Sequence, residues 1–223
     1  MELSQYIDHT LLKAVATPED IINLCNEAKE HNFYAVCVNS CYVSLAAEKL
    51  KNSDVKVASV VGFPLGASSL HAKVCEAEQA IKDGADEIDM VLNIGFLKAE
   101  KYSEVQNEIA GVKKAIGDRT LKVILETCYL TDAEIRTACH ISKKADADFV
   151  KTSTCFGSGG ATEEAVKIMV AEVGDSLKIK ASGGIKDAAT AKKYIEMGVS
   201  RIGTSSGIEI VTATKKDTDE HTY

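Results

Sequence analysis

Eight short apolar runs, separated by stretches with helical spacing, constrain the fold of this chain more than any other sequence feature. The runs are rich in Val and Ile, are bounded by turn residues and are too short to form helices. Such runs are typical of strands buried on both faces of a parallel sheet. They cover residues 7–12, 34–39, 55–63, 87–94, 121–126, 149–154, 177–182 and 201–206.

Between the runs, apolar residues recur at the spacing of an amphipathic helix. Thr17 followed by Pro18, and Thr131 followed three residues later by Glu134, are also typical of helix starts. Each helical set forms one apolar stripe that a neighbouring element can cover. The sets are Ile21, Leu24, Cys25 and Ala28; Val166, Met169, Val170 and Val173; and Ala191, Tyr194, Ile195 and Gly198.

Eight consecutive βα units predict an α/β fold, a single-domain (β/α)8 TIM barrel. No linker, charge block or low-complexity tract divides the chain, so we expect the barrel to span residues 1–210 and a polar, mobile tail to span residues 211–223. The chain has 223 residues, fewer than the ~250 typical of this fold, which predicts short loops. An open doubly wound sheet is the alternative, but it needs fewer strands and a glycine-rich first turn.

Composition limits the kinds of molecule that this protein can bind and the compartment in which it works. With 26 basic and 33 acidic residues the net charge is −7, which argues against nucleic acid or an anionic membrane as the main partner. The seven cysteines form no C-x-x-C pair and no disulfide framework, which is typical of a reducing cytoplasm. The first residues do not resemble a signal peptide, and no window reaches the ~18 apolar residues of a membrane span. We therefore expect a cytoplasmic protein.

Two lysines lie within apolar strands, where an amine can become a nucleophile. Lys151 lies on the sixth predicted strand and Lys180 on the seventh, and the active site of such a barrel lies at the C-terminal strand ends. Loss of solvation and a second ammonium nearby both favour the neutral amine, which attacks carbonyl carbons. The alternative is that each lysine stem covers apolar surface while its head reaches water.

An acid and two glycine-rich segments complete the predicted site. Asp89 interrupts the apolar fourth strand, so it is either a structural hydrogen-bonding acid or, facing the lysines, a group that moves protons. Glycines and hydroxyl residues follow strand seven and end strand eight, where barrels often bind phosphate through neutral N–H donors. These positions are Gly183, Gly184, Gly203, Ser205 and Ser206.

Five segments, in order along the chain, resemble the deoxyribose-phosphate aldolase family. They read IDHTLLK from residue 7, VGFPLG from residue 61, GADEIDMV from residue 84, FVKTST from residue 149 and KASGGI from residue 180. The resemblance implies a class I aldolase that works without a metal or other cofactor. Such an enzyme reversibly splits 2-deoxy-D-ribose 5-phosphate into acetaldehyde and D-glyceraldehyde 3-phosphate in deoxyribonucleotide catabolism. It also implies a homo-oligomer, commonly a dimer.

The resemblance assigns roles to individual residues. Lys151 matches the lysine that forms the Schiff base, Lys180 the lysine that activates it, and Asp89 the acid that moves protons through water. Tyr223 matches a terminal tyrosine that reaches the site from the tail. The five glycine and serine positions above match phosphate-binding residues. Asp8, Thr10 and Cys37 match residues that line or support the pocket.

One departure from the family and three alternatives stay open. Cys155 stands where the family has glycine, so a left-handed backbone there would be strained and phosphate binding altered. A transaldolase would keep the lysine but take a ketose, and a phosphosugar-binding barrel would bind without turnover. A metal-dependent aldolase fits poorly, because the five histidines show no metal-ligand spacing.

Overall fold

The eight strands close into a barrel. The computed structural model describes residues 2–219, and within them each strand pairs with the next one along the chain, while the last returns to the first. All pairings are parallel, which confirms the predicted (β/α)8 architecture. The strands are β1 Ile7–Leu11, β2 Ala35–Val38, β3 Lys56–Val61, β4 Glu87–Val91, β5 Thr120–Ile124, β6 Phe149–Lys151, β7 Lys178–Ser182 and β8 Arg201–Thr204.

Helices follow the strands and begin at the residues that the sequence indicates. Pro18 is the first residue of its helix, and Thr131 forms a capping box with Glu134, a type of cap that stabilises a helix by about 1 kcal/mol. None of the helices within residues 2–219 is both long and apolar enough to span a bilayer. The helices are α1 Pro18–Glu30, α2 Val43–Leu50, α3 Leu70–Lys82, α4 Ile94–Lys98, α5 Tyr102–Ile116, α6 Asp132–Lys144, α7 Glu163–Val173, α8 Ala188–Glu196 and α9 Gly207–Asp219.

The main apolar core lies between the barrel and its shell of helices. On α1 the predicted stripe of Ile21, Leu24, Cys25 and Ala28 is buried, and the helix packs against β1 and β2. Burying one Ile or Leu side chain stabilises a fold by roughly 1.5–3 kcal/mol. Stability is therefore supplied largely outside the barrel, and the interior can hold polar side chains.

The last helix crosses the boundary that the sequence places at residue 210. α9 continues to Asp219, and Val211 is buried in the main core. The helical shell therefore extends into the segment expected to be a tail. Residues 220–223, which include the predicted site residue Tyr223, lie outside the described residues.

Candidate active site

A pocket of about 260 Å³ opens at the C-terminal end of the barrel, where this fold places its active sites. The C-terminal ends of β1, β6, β7 and β8 and the loops that follow β1, β6 and β8 form its walls, and Lys151 carries an amine into it. The lining residues are Thr10, Leu11, Leu12, Lys13, Lys151, Thr154, Cys155, Phe156, Ser182, Gly203, Thr204 and Ser205.

Strand register places the charged residues of the barrel interior side by side. Lys122 pairs with Asp89, and Lys180 pairs with Lys151 on one side and Arg201 on the other. Paired residues of neighbouring strands point to the same face of a sheet. The register therefore directs these side chains together into the barrel.

Asp89 is the centre of this interior cluster. Its Oδ2 accepts hydrogen bonds from Lys151 Nζ at 2.9 Å and from Lys180 Nζ at 2.8 Å, and its Oδ1 accepts one from Lys122 Nζ at 2.7 Å. Asp89, Lys122 and Lys180 are fully buried, while Lys151 is 3% exposed and reaches the pocket. The structure thus brings the two predicted lysines to one oxygen of the predicted acid.

Two further carboxylates extend the cluster towards the other end of the barrel. Asp8 lies 2.5 Å from the Lys180 ammonium and also accepts a hydrogen bond from Arg201 Nε at 2.7 Å. Glu87 lies 2.6 Å from Lys122 Nζ and 3.0 Å from the Arg201 guanidinium. The side chains therefore form one continuous buried network of ion pairs.

This network has one more basic group than it has carboxylates. Among the described residues, Lys122, Lys180 and Arg201 each contact two of the carboxylates, whereas Lys151 contacts Asp89 alone. The three carboxylates of the network are those of Asp8, Glu87 and Asp89.

The contacts within the network fix the charges of its buried members. Burial alone would raise the pKa of Asp89, but the surrounding lysines hold it well below its ordinary value. The pKa of Asp8 is also lowered, since Arg201 and Lys180 outweigh the effect of burial. Burial would lower the pKa of Lys180, but Asp8 and Asp89 raise it above 10.5. Lys180 therefore holds its proton at neutral pH in the substrate-free site, so the lowered pKa that the sequence predicts for such a lysine is wrong for Lys180.

Two of the five predicted phosphate-binding positions line the pocket. Gly203 and Ser205 are among its lining residues, as is Thr10 at the end of β1. Gly183 has φ +90°, and a side chain there would approach the Gly160 Cα to 2.7 Å, so the β6 and β7 loops pack together through their glycines. Of the remaining two positions, Gly184, with φ +81°, lies after β7, and Ser206 lies after β8.

The opposite inner wall of the barrel is apolar. Cys37 is completely buried in a small cluster with Leu12, Ala58 and Val60, and Phe63 packs against it. Burial raises the pKa of the Cys37 thiol. Of these residues Leu12 lines the pocket, so Cys37 supports that wall from behind.

Cys155 adopts the backbone conformation that glycine favours. Its φ is +70°, in the left-handed region, and it lines the pocket next to Phe156. A side chain there is strained relative to glycine. Cys155 therefore replaces the family's glycine at a position of the pocket wall where the backbone is left-handed.

Several residues of the site are missed by the sequence analysis. Lys122 lies in an apolar strand just as Lys151 does, so the same signal was available to find it. Arg201 and Glu87 are strand-end charges whose burial becomes apparent only in the closed barrel. Within residues 2–219, no three His, Cys, Asp or Glu side chains converge in a way that could hold a metal ion.

The fold and the site together define a (β/α)8 barrel enzyme with an amine at its open end. A family model described as DeoC/LacD family aldolase matches residues 3–212. The chain therefore belongs to this family of aldolases.

Individual relatives agree with that assignment. The chain is 56% identical over 219 residues to a deoxyribose-phosphate aldolase of Caldanaerobacter subterraneus, covering 97% of this chain and 95% of the relative. It is 53% identical to a deoxyribose-phosphate aldolase of Staphylococcus carnosus, covering 98% of this chain and all of the relative. Among solved structures, the aldolase QR15 superposes with a TM-score of 0.94 at 41% identity, covering 98% of both chains. A tetrameric deoxyribose phosphate aldolase from Aeropyrum pernix superposes with a TM-score of 0.87 at 32% identity, covering 96% of this chain and 91% of that one.

Proposed function

We propose that this chain is a deoxyribose-phosphate aldolase that reversibly cleaves 2-deoxy-D-ribose 5-phosphate into acetaldehyde and D-glyceraldehyde 3-phosphate. The observation that carries the proposal is the position of Lys151, which belongs to the buried ion network and also lines the pocket. An amine in that position can meet an aldehyde while the Asp89 carboxylate holds its Nζ in place. The names of the relatives supply the substrate.

The uneven charge of the network supports Lys151 as the nucleophile. A buried network that carries a net charge is costly, and this one becomes neutral when one of its four basic groups is uncharged. Lys151 has one carboxylate contact, whereas each of the other basic groups has two. Lys151 is therefore the amine of the network that can turn to a ligand with the loss of the fewest ion-pair contacts.

The reaction then follows from imine chemistry. The neutral Lys151 amine attacks the aldehyde carbon of the sugar, and the carbinolamine loses water to give an iminium ion. Removal of the C3 hydroxyl proton breaks the C2–C3 bond, whose electrons flow into the iminium. Glyceraldehyde 3-phosphate leaves, and an enamine remains on the lysine. Protonation at C2 and hydrolysis release acetaldehyde and restore the amine.

Asp89 and Lys180 are proposed to handle the protons of these steps. Asp89 touches both lysines through one oxygen, so it can orient the Lys151 amine and can receive or return a proton once substrate has displaced one of these contacts. The raised pKa of Lys180 keeps this amine protonated and makes it a poor nucleophile, and as a weak acid it can pass on its proton only once substrate has displaced a carboxylate partner. The two lysines thus divide the tasks of attack and proton supply.

The phosphate is proposed to lie against the loops after β7 and β8. Gly183, Gly184, Gly203, Ser205 and Ser206 would bind it through backbone N–H groups and hydroxyls. Lys13, which the sequence analysis did not single out, also lines the pocket and adds a positive charge to its rim. Asp8 and Cys37 would support the pocket from beneath, and Thr10 would line it.

Borohydride reduction in the presence of acetaldehyde tests the proposed nucleophile. We expect the reduced protein to carry a stable adduct on Lys151, located by peptide mass spectrometry, and the Lys151→Met variant to carry none. Lys13→Met is the matched control, because Lys13 lines the same pocket outside the network, and it should keep the adduct. An adduct on Lys180 would contradict the proposal, and so would the absence of any adduct from the unaltered enzyme.

Substrate profiling separates the remaining alternatives. A transaldolase would transfer a three-carbon unit from a ketose, and a non-catalytic barrel would bind deoxyribose 5-phosphate without forming acetaldehyde. We expect acetaldehyde release from deoxyribose 5-phosphate and no transfer from ketoses. The names of the relatives favour this outcome.

A cytoplasmic homo-oligomer is also proposed. The sequence supports the location through its unpaired cysteines. The structure from Aeropyrum pernix is described as tetrameric, which supports assembly without fixing the number of subunits here. Light scattering during size-exclusion chromatography would give the mass, and a monomer of 23.9 kDa would contradict the expectation.

A further inference from the structure

Glu126 is a buried acid that the proposed mechanism leaves unused. It lies just beyond the end of β5, is 2% exposed and takes part in none of the ion pairs among the described residues. Its backbone is left-handed, with φ +56°, although it is not glycine. Strained backbone at the catalytic end of a barrel is often maintained for function.

The Glu126 carboxylate is bound to one residue of the pocket wall. Oε1 accepts the Thr154 backbone N–H at 3.1 Å, and Oε2 accepts a short hydrogen bond from the Thr154 hydroxyl. The Cys128 thiol adds a weak contact at 4.0 Å. Gly157 lets the β6 loop lie against this carboxylate, since a side chain there would approach the Glu126 carboxyl carbon to 3.2 Å.

These contacts fix the direction of the Thr154 hydroxyl. A hydroxyl has one hydrogen and two lone pairs. The hydrogen is donated to Glu126, and one lone pair accepts the Phe156 backbone N–H at 3.0 Å. What Thr154 can offer to a ligand in the pocket is therefore its second lone pair, a hydrogen-bond acceptor.

We propose that Glu126 is a positioning residue that makes Thr154 an acceptor for a substrate hydroxyl, and so selects acceptor aldehydes that carry a hydroxyl next to the carbonyl. This inference rests on the proposed function. The acetaldehyde half has no hydroxyl to offer, and the carbonyl oxygen of the incoming aldehyde needs a donor rather than an acceptor. The C2 hydroxyl of glyceraldehyde 3-phosphate remains as the partner of Thr154.

Glu126→Gln reverses the polarity of this contact while keeping its shape. The Gln carbonyl can still accept the Thr154 N–H, but its NH₂ donates to the Thr154 oxygen where the carboxylate accepted. The Thr154 hydrogen is then released towards the pocket, which now presents a donor. A fluorine atom accepts and never donates, so it distinguishes the two states.

The experiment compares three acceptor aldehydes in synthesis with acetaldehyde: glyceraldehyde 3-phosphate, its 2-fluoro analogue and 3-phosphopropanal, which lacks the substituent. In the unaltered enzyme kcat/KM should favour hydroxyl over fluorine, and in Glu126→Gln that ratio should fall by about tenfold, the effect of one hydrogen bond. The rate with 3-phosphopropanal should change less than about threefold. A purely structural role would lower all three rates together and leave the ratio unchanged.

Thr154→Val gives an independent route to the same answer. It removes the hydroxyl, so the preference for hydroxyl over fluorine should be lost, and adding Glu126→Gln should not change the ratio further. This variant also serves if the Gln variant does not fold. An unchanged ratio in either single variant would overturn the assignment.

The acetaldehyde adduct separates this proposal from the proposed function. Glu126→Gln should still form the borohydride-reduced adduct on Lys151, because the acetaldehyde half does not use Thr154. An adduct with an unchanged substrate ratio would refute the role of Glu126 alone. Absence of the adduct from the unaltered enzyme would refute the Schiff-base function itself.

Discussion

A buried ion pair between two helices and the ion network inside the barrel differ in how the charges of their lysines are balanced. Lys73 on α3 is fully buried and bonds to Glu108 on α5 at 2.8 Å, one base against one acid. Burial lowers the pKa of Lys73 more than its single partner raises it. Inside the barrel, Lys180 has two carboxylate partners, which overcome burial and raise its pKa.

The comparison shows that a buried lysine is not by itself a functional one. The pair of Lys73 and Glu108 ties two neighbouring helices together, and each charge has its own partner. The barrel network shares three acids among four bases and ends at Lys151 in an open pocket. What favours catalysis is that the network has one more base than acids and that one base, Lys151, lies at its accessible end.

Removing the shared acid should have the largest effect. Asp89→Asn keeps the shape of the side chain but withdraws the charge that three lysines share, so the Lys151 amine loses its orientation and its proton partner. We expect kcat for deoxyribose 5-phosphate cleavage to fall by about 10²- to 10⁴-fold. Steady-state kinetics measures this, and circular dichroism should confirm that the variant is folded. A fall of less than about threefold would show that Asp89 is only structural.

Breaking the helix pair should affect stability and leave catalysis alone. Lys73→Met leaves Glu108 buried without a partner, which should lower the free energy of unfolding by about 3–5 kcal/mol. The double variant with Glu108→Leu should recover most of that loss, since an apolar pair of similar volume replaces the ion pair. Urea denaturation measures both values, with kcat as the second readout. A large fall in kcat in the folded double variant would contradict the contrast with the barrel network.

Acid should weaken the barrel network through Asp8 and Asp89. Both pKa values are lower in the folded chain than the ordinary value of about 3.8, so the unfolded chain binds protons first as the pH falls. Their stabilisation is present above about pH 3.8 and is lost progressively as the pH falls towards the folded values. Each group can contribute a slope of at most about 1.4 kcal/mol per pH unit.

Urea unfolding at a series of pH values between about 6 and 3 measures this slope. Asp89→Asn should show a shallower loss of stability in acid than the unaltered chain. Asp118→Asn, which removes an exposed acid, controls for the change in net charge. Equal slopes in all three proteins would contradict the pKa shift of Asp89.

Local patterns predict much of this molecule, and long-range contacts determine the rest. The apolar runs predict all eight strands, and the strand-borne Lys151, Lys180 and Asp89 converge because parallel strands bring equivalent positions together. Arg201 could not be recognised in the same way, because its partner Asp8 lies at the other end of the chain and becomes adjacent only when β8 closes on β1. Glu126 gave no sequence signal for a similar reason, since its partner Thr154 follows the neighbouring strand.

The smallest predicted effect concerns Cys155, where two opposing terms nearly cancel. Cys155→Gly relieves a left-handed residue, a strain of roughly 1 kcal/mol, but glycine also makes the unfolded chain more flexible by about 0.5–1 kcal/mol. We expect the free energy of unfolding to change by less than about 1 kcal/mol. Cys155→Ala is the matched control, because it keeps the Cβ and its strain while removing the sulfur, and the two opposing terms should leave its stability within about 1 kcal/mol of that of the Gly variant. If the Ala variant were more stable than the Gly variant by more than this, strain at residue 155 would not limit the loop. Any change in KM for deoxyribose 5-phosphate would then arise from the thiol itself, which lies against Gly183 at the proposed phosphate end of the pocket.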